Sequence, residues 1–416
     1  MKIIKSIATL FTGSLGSQIV VVLMMPFLAR YYPASAFGDW ALFVALSTAL
    51  AVISAFRYDL SVLLPASAGH ALKLVKSAVT ISVLASCCAM TMITILYFFG
   101  IVEKAIYLLV PASMMLTSLI QVATTWSNRR KSYKLIAFAK LAQSLSTATL
   151  NILFVVLYTS DLDAVTLISA TVIGQFIGLA WVAWPAIKNV RKTFLLFRRV
   201  RQSKSLLLKY GDFPLYSMPE ALLGTVSTMF PLYASGYFFT SHEAGYVALA
   251  HRVLMLPVAL IGGAVSVVYA QKFAVMVARS QQITADMLRV WLTAAFIGIF
   301  PALILNIFGE ELFIFAFGEQ WQKSGEIASA LSFYVYLLLM FSLTSGAHVA
   351  LRLQHVSLII AIIAFIGKCL VAYWLQEDLL PMMIAFVAMD LGATFIMNLL
   401  ALFRSVRLKN ESLNAT

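Results

Sequence analysis

The chain has 416 residues, 62% of them hydrophobic and only 11% charged, with a mean hydropathy of +0.92. A soluble domain carries about a quarter of its residues as Asp, Glu, Lys and Arg, so this composition excludes a soluble globular protein and indicates a polytopic membrane protein. The net charge of +13 would suggest nucleic acid as a partner in a soluble protein. Here the basic residues lie in short segments between apolar runs, where membrane topology accounts for them and no nucleic acid is implied.

A helix needs about 20 apolar residues to cross the bilayer. That window predicts twelve spans: 7–29, 40–64, 77–99, 105–126, 135–157, 164–187, 213–239, 245–270, 287–308, 324–350, 356–375 and 381–403. Lys2 and Lys5 before the first run imitate a signal peptide, but the run reaches Ala29, beyond an h-region of about 7–15 residues. It is therefore read as span one. With the N-terminus in the cytoplasm, 24 of the 30 lysines and arginines fall on the cytoplasmic side, and only Arg30, Lys104 and Lys323 lie opposite. Eleven of the 17 acids, including Asp161 and Asp163, are external. The alternation holds at every loop, which predicts both termini inside.

Taken in order, span one carries Pro26 and ends at Arg30. Span two opens with Gly38-Asp39-Trp40-Ala41-Leu42 and carries Arg57 and Asp59. At 1.5 Å per residue, Arg57 lies about 26 Å below the external start, near the inner face. It is either a snorkelling arginine beside Asp59 or part of a cavity wall. Cys87 and Cys88 in span three, like Cys369 later, read as small core residues, because no metal spacing accompanies them. After span six comes the longest polar segment, Lys188 to Asp212, where basic residues interleave with Phe194, Leu195, Leu196 and Phe197. It predicts an amphipathic linker on anionic lipid of the inner leaflet.

The second half begins with an interrupted run. Pro214, Pro219 and Pro231 break span seven, which holds the acid Glu220. Broken helices at membrane depth persist only where buried in protein or lining a wet cavity. Span eight carries His251 and Arg252, and it opens with Gly245-Tyr246-Val247-Ala248-Leu249, an echo of the start of span two. Six spans per half keep the orientation, so a parallel repeat follows. The predicted fold is all-α and integral to the membrane, with two six-helix lobes around a central cavity. Residues 1–187 and 213–416 are the lobes, with 188–212 as linker.

The longest external loop is Gly309 to Lys323, a short connection that contains no paired catalytic groups of the kind a membrane enzyme would need. Lys368 in span eleven is about 18 Å above the inner face, and Asp390 in span twelve is about 14 Å below the outer face. In a core of about 30 Å they reach nearly one level. Two readings stand for them: a structural ion pair, or a coupling site where Asp390 takes a proton or cation and releases Lys368. Intramembrane charges are functional candidates by default, which also covers Glu220 and Arg252. Nothing predicts a metal, a cofactor or ATP: HExxH, HxxxH and Walker A patterns are all missing from the sequence.

Several segments resemble the Wzx-type O-antigen/polysaccharide flippases of the multidrug/oligosaccharidyl-lipid/polysaccharide exporter superfamily. These are GSLGSQIVVVLMMPFLARYYPASAFGDWALF (13–43), RYDLSVLLP (57–65), KYGDFPLYSMPEALL (209–223), the run 245–273 and FGEQWQKSGEIA (317–328). His251 stands where tyrosine is common in the segment ending at Pro257. The resemblance implies the MATE-like fold of that superfamily, two six-helix lobes, and a flippase rather than an enzyme, in a bacterial inner membrane. The implied substrate is an oligosaccharide on undecaprenyl pyrophosphate, turned from the cytoplasmic to the periplasmic leaflet for lipopolysaccharide or related polymers. A polysaccharide polymerase and a chain-length regulator are the implied partners. Related lipid II flippases gather arginines on spans one, two and eight, which makes Arg30, Arg57 and Arg252 the implied substrate-binding set and leaves Glu220, Asp390 and Lys368 for ion coupling. A cation-coupled multidrug exporter of the same fold is the rival, and it would favour acids over arginines in its cavity.

Overall fold

The computed structural model describes residues 2–158, 162–187, 204–279 and 281–414. Every regular element among them is helical. The chain divides into two compact units, Met1–Met229 and Phe230–Thr416.

The first unit holds α1 (Lys2–Tyr31), α2 (Ala34–Ser54), a single turn α3 (Tyr58–Ser61), α4 (Ala68–Phe98), α5 (Val110–Arg129), α6 (Tyr133–Leu157), α7 (Ala164–Val182), and the short α8 (Trp184–Ile187) and α9 (Lys204–Lys209). A π-helical turn at Phe213–Ser217 then leads into α10 (Met218–Phe238), inside which the boundary between units falls. The second unit continues with α11 (Ser241–Pro257), α12 (Gly263–Ala278), α13 (Thr284–Phe317), α14 (Gln322–Ser342), the short α15 (Gly346–Ala350), α16 (Gln354–Trp374) and α17 (Leu379–Asn414). Helix starts follow side-chain caps. Ser67 accepts from the N–H of His70, Asp163 from Val165 and Thr166, and Thr240 from Glu243, which satisfies donors that a helix leaves unpaired at its N-terminus.

Among the described residues, ten helices are long and apolar enough to cross a membrane. They match ten of the twelve expected spans. The other two are also helical. The described apolar part of α1 is the shorter Leu15–Tyr31, and α10 is diluted by Glu220, Gly224, Thr225, Ser227, Thr228 and two prolines. Of the three prolines expected to break span seven, Pro214 sits in the π turn and Pro219 near the start of α10, while Pro231 is carried inside an unbroken helix.

The two units use the same helix neighbours. In the first, α2 and α4 pack on α5, α5 packs on α7, and α6 runs along α7; in the second, α11 and α13 pack on α14, α14 packs on α17, and α16 runs along α17. The turns correspond as well. Gly100 (φ 71) follows α4 and Gly318 (φ 108) follows α13, both in a left-handed region that only glycine enters freely. Lys131 (φ 56) and Arg352 (φ 57) close α5 and α15 in matching turns, where Ser132 N–H reaches Ser127 O at 2.9 Å and Leu353 N–H reaches His348 O at 2.8 Å. The separation grows from 207 residues at Gly38 and Gly245 to 218 at Gly100 and Gly318. Between those points lie the π turn Val258–Gly262 and α12, which carry span eight on to Ala278.

Three expectations need correction. Span two does not run to residue 64, because α2 stops at Ser54 and Phe56 and Arg57 turn left-handed. The expected external loop from Gly309 to Lys323 is mostly helix. α13 continues to Phe317 past a kink at Phe308, and it buries Gly309, Phe313 and Phe317. The three cysteines are exposed rather than in the core. In a bilayer the medium outside is as apolar as the inside, so a thiol gains little by burial. The linker expected over 188–212 lies outside the described residues up to 203. From Lys204 on it is helical and packs against the first unit.

Candidate functional site

The first polar cluster surrounds Arg57. Phe56 and Arg57 have φ of 47 and 59, a conformation costing roughly 1–2 kcal/mol for each residue with a Cβ. Such strain persists only where surrounding contacts impose it. Asp59, 3% exposed, lies in the first turn of α3, and its carboxylate accepts the N–H groups of Asp59 and Leu60 under the field of Arg57. Ser61 closes the turn by donating to Tyr58 O at 2.7 Å. Beyond α3 four carbonyls converge on one guanidinium from the end of α5. Arg129 Nη1 donates to Val62 O and Leu63 O at 3.1 Å, and Nη2 donates to Pro65 O at 2.5 Å and Ala66 O at 3.4 Å. Tyr58 donates its hydroxyl to Leu207 O at 3.2 Å, and Leu206, Leu207 and Tyr210 pack on the apolar cluster of Val62, Leu74 and Val122. The loop is thus held from α5 and from α9. Arg57 itself is half-buried, and its Nε is enclosed with no hydrogen-bond partner among the described residues.

The second cluster lies wholly in the second unit. Lys368 on α16 is fully buried, and its Nζ meets Asp390 on α17 at 2.6 Å to Oδ1 and 2.7 Å to Oδ2. The Asp390 side chain is 35% exposed, so the lysine is enclosed while the acid lies at the surface of the unit. His251 and Arg252 are neighbours on α11. His251 is half-buried, Arg252 is exposed, and the charges of Lys368 and Arg252 both bear on the His251 ring. Two turns along α17 a chain of hydrogen bonds runs from Trp291 Nε1 to Thr344 Oγ1 at 2.9 Å and from Thr344 Oγ1 to Asn398 Oδ1 at 2.8 Å.

The depth argument therefore brought Lys368 and Asp390 together correctly. Arg30 stands exposed in the last turn of α1, and Glu220 stands exposed in the first turn of α10. Arg30, Arg57 and Glu220 belong to the first unit, and Arg252, Lys368 and Asp390 to the second. Among the described residues no group of three or more His, Cys, Asp or Glu side chains is placed to hold a metal ion.

A family model described as polysaccharide biosynthesis protein matches residues 27–326. The chain belongs to this family. A search of curated proteins returned no match. Among solved structures, the polysaccharide biosynthesis protein is similar to the lipid II flippase MurJ in an inward closed conformation, with a TM-score of 0.76 at 13% identity over 97% of this chain and 90% of that one. It is also similar to an inward-facing multidrug resistance MATE family transporter of the MOP superfamily, with a TM-score of 0.70 at 14% identity over 97% and 95% of the two chains. A third likeness is to a MOP superfamily transporter from Pyrococcus furiosus, with a TM-score of 0.64 at 15% identity over 97% and 96%. At these identities the likeness establishes a shared fold, the MATE-like one expected from the sequence.

The family match spans both the Arg57 loop and Arg252. Sequence reasoning missed the residues that hold the loop. Arg129 counted only as one more inside-positive residue, and Tyr58 only as part of an apolar run. One signal was available: RYDLSVLLP places two charges and a serine at the end of an otherwise apolar span, where a straight helix would leave them in hydrocarbon.

Proposed function

We propose that this polysaccharide biosynthesis protein is a flippase. In this reading it turns an oligosaccharide linked to undecaprenyl pyrophosphate from the cytoplasmic to the periplasmic leaflet of a bacterial inner membrane, by alternating access between lobes 1–187 and 213–416 joined by the linker 188–212. The substrate is a repeat unit of O-antigen or a related surface polysaccharide, and a polymerase with its chain-length regulator takes up the product. Arg30, Arg57 and Arg252 draw the pyrophosphate, since an anionic headgroup entering a low dielectric requires charge-assisted donors.

The observation that carries this reading is Arg57. A guanidinium nitrogen enclosed without a partner, on a strained loop held by two other elements, is a donor prepared for something the protein does not itself supply. Coupling follows from the second cluster. Asp390, partly exposed while Lys368 is fully enclosed, exchanges the lysine for a proton or a cation during the cycle. Glu220, exposed in the first turn of α10, is the other acid available to couple.

The test is a deletion strain. Loss of the gene is expected to abolish surface polysaccharide, to pile up lipid-linked repeat units in the inner leaflet and to leave drug susceptibility unchanged. Raised susceptibility with normal polysaccharide would instead establish a multidrug exporter. In the complemented strain, Arg252→Ala is expected to give no polymer with normal protein in the membrane.

A further inference from the structure

We propose that Arg129 is the positioning residue for Arg57, and that its guanidinium sets the left-handed loop from which Arg57 meets the substrate. The proposal rests on the reading that Arg57 takes the pyrophosphate.

α2 ends at Ser54, and nothing local makes the chain turn left-handed at Phe56 and Arg57, because neither is glycine. Turn hydrogen bonds from Tyr58 N–H to Ala55 O at 3.0 Å and from Leu60 N–H to Arg57 O at 3.2 Å are available to many conformations. The segment after α3 is different. Val62, Leu63, Pro65 and Ala66 present carbonyls that no helix uses, and all four point at one side chain on another helix. A planar guanidinium with five donors serves such a fan, whereas the compact ammonium of lysine does not. Withdrawing it would return four carbonyls to solvent or lipid and free residues 62–64, up to Pro65, to continue the helix of span two. The left-handed break would then have no cause. Arg57 would move from a half-buried place with an enclosed Nε to the surface of a straight helix.

Arg129 does not meet the substrate in this account. It acts through Arg57, and two measurements separate that role from a purely structural one. Both use the full chain in lipid nanodiscs, with farnesyl pyrophosphate as the soluble probe. Arg129→Gln is expected to weaken probe binding about tenfold in the native background and less than about twofold in an Arg57→Ala background, because groups that act as a unit do not add. Arg129→Lys is expected to fall between native and Arg129→Gln, and it serves if the glutamine variant does not accumulate.

The second measurement needs no substrate. With Cys87, Cys88 and Cys369 changed to serine, a charged thiol reagent reads the exposure of the thiol introduced by Arg57→Cys. Adding Arg129→Gln is expected to raise the labelling rate several-fold. An unchanged rate overturns the proposal, and so does an equal loss of probe affinity in both backgrounds. A raised rate with probe binding indifferent to Arg57→Ala upholds the positioning role and overturns the pyrophosphate reading instead.

Discussion

The two units repeat one another and differ most at one helix pair. In the first unit α6 and α7 meet across small neutral groups. A Cβ on Gly174 would run into the Thr147 hydroxyl, and one on Gly178 would stand 3.0 Å from the Gln143 side chain. In the second unit α16 and α17 meet across Lys368 and Asp390. Counted from the matching left-handed turns at Lys131 and Arg352, Thr147 and Lys368 hold the same place, each 16 residues on. The same joint is thus closed by backbone approach in one unit and by an ion pair in the other. Close approach of small residues is the ordinary way for helices to associate in lipid. A buried ion pair is a poor substitute for stability, because desolvation offsets most of the attraction. Its presence in one copy alone therefore argues for a task that the other copy does not have.

The first helices of the repeats differ in the same direction. Gly13 lets α1 approach the backbone of α6 at Ala137. Its counterpart α10 touches its neighbours through Phe230, edge to face with Phe365 at 5.4 Å and Phe386 at 5.2 Å. At this joint, then, the second unit uses side chains where the first uses close backbone approach.

The comparison can be broken most forcefully at Asp390. Asp390→Ala strands the buried Lys368 ammonium and is expected to destabilise the protein by about 3 kcal/mol, the lower end for breaking a buried pair because the acid is partly exposed. Thermal unfolding of the purified protein measures it. Lys368→Met with Asp390→Leu is expected to restore stability to within about 1 kcal/mol of native and still give no polysaccharide; wild-type polymer from that double variant would make the pair structural only. Gly174→Ala in the first unit is expected to lose about 1–3 kcal/mol by overpacking, with part recovered when Thr147→Ala removes the obstructing hydroxyl. No effect would mean that the joint is looser than it stands here.

The smallest effect sharpens the likeness instead of the difference. Lys104 pairs with Asp39 at 2.6 Å and Lys323 with Glu243 at 2.7 Å, each lysine being nearly half exposed. These clasps join the second and fourth spanning helices at the same end of each unit. Lys104→Met and Lys323→Met are each expected to lose only about 0.2–1 kcal/mol. A large loss for one alone would show that the clasps are not equivalent.

Much of the architecture was legible because hydropathy and charge report topology directly. An apolar run of span length and an inside excess of Lys and Arg depend on the solvent, not on neighbours in the fold. The pairing of Lys368 with Asp390 was legible for a related reason, since depth in a bilayer follows from counting residues along a helix. The Arg57 break was not legible. Ala55-Phe56-Arg57-Tyr58 holds no glycine or proline, and local preference alone favours continuing the helix.

What the sequence determined by itself was therefore the membrane class, the helical fold, the repeat and the shared level of Lys368 and Asp390, all set by the bilayer acting as a one-dimensional ruler. What only the tertiary structure decided was which charges are held, which are exposed and where the backbone leaves the helix. Those outcomes depend on carbonyls and side chains distant in sequence, such as Arg129 and residues 62–66, and a pattern read along one chain does not record which of them face each other.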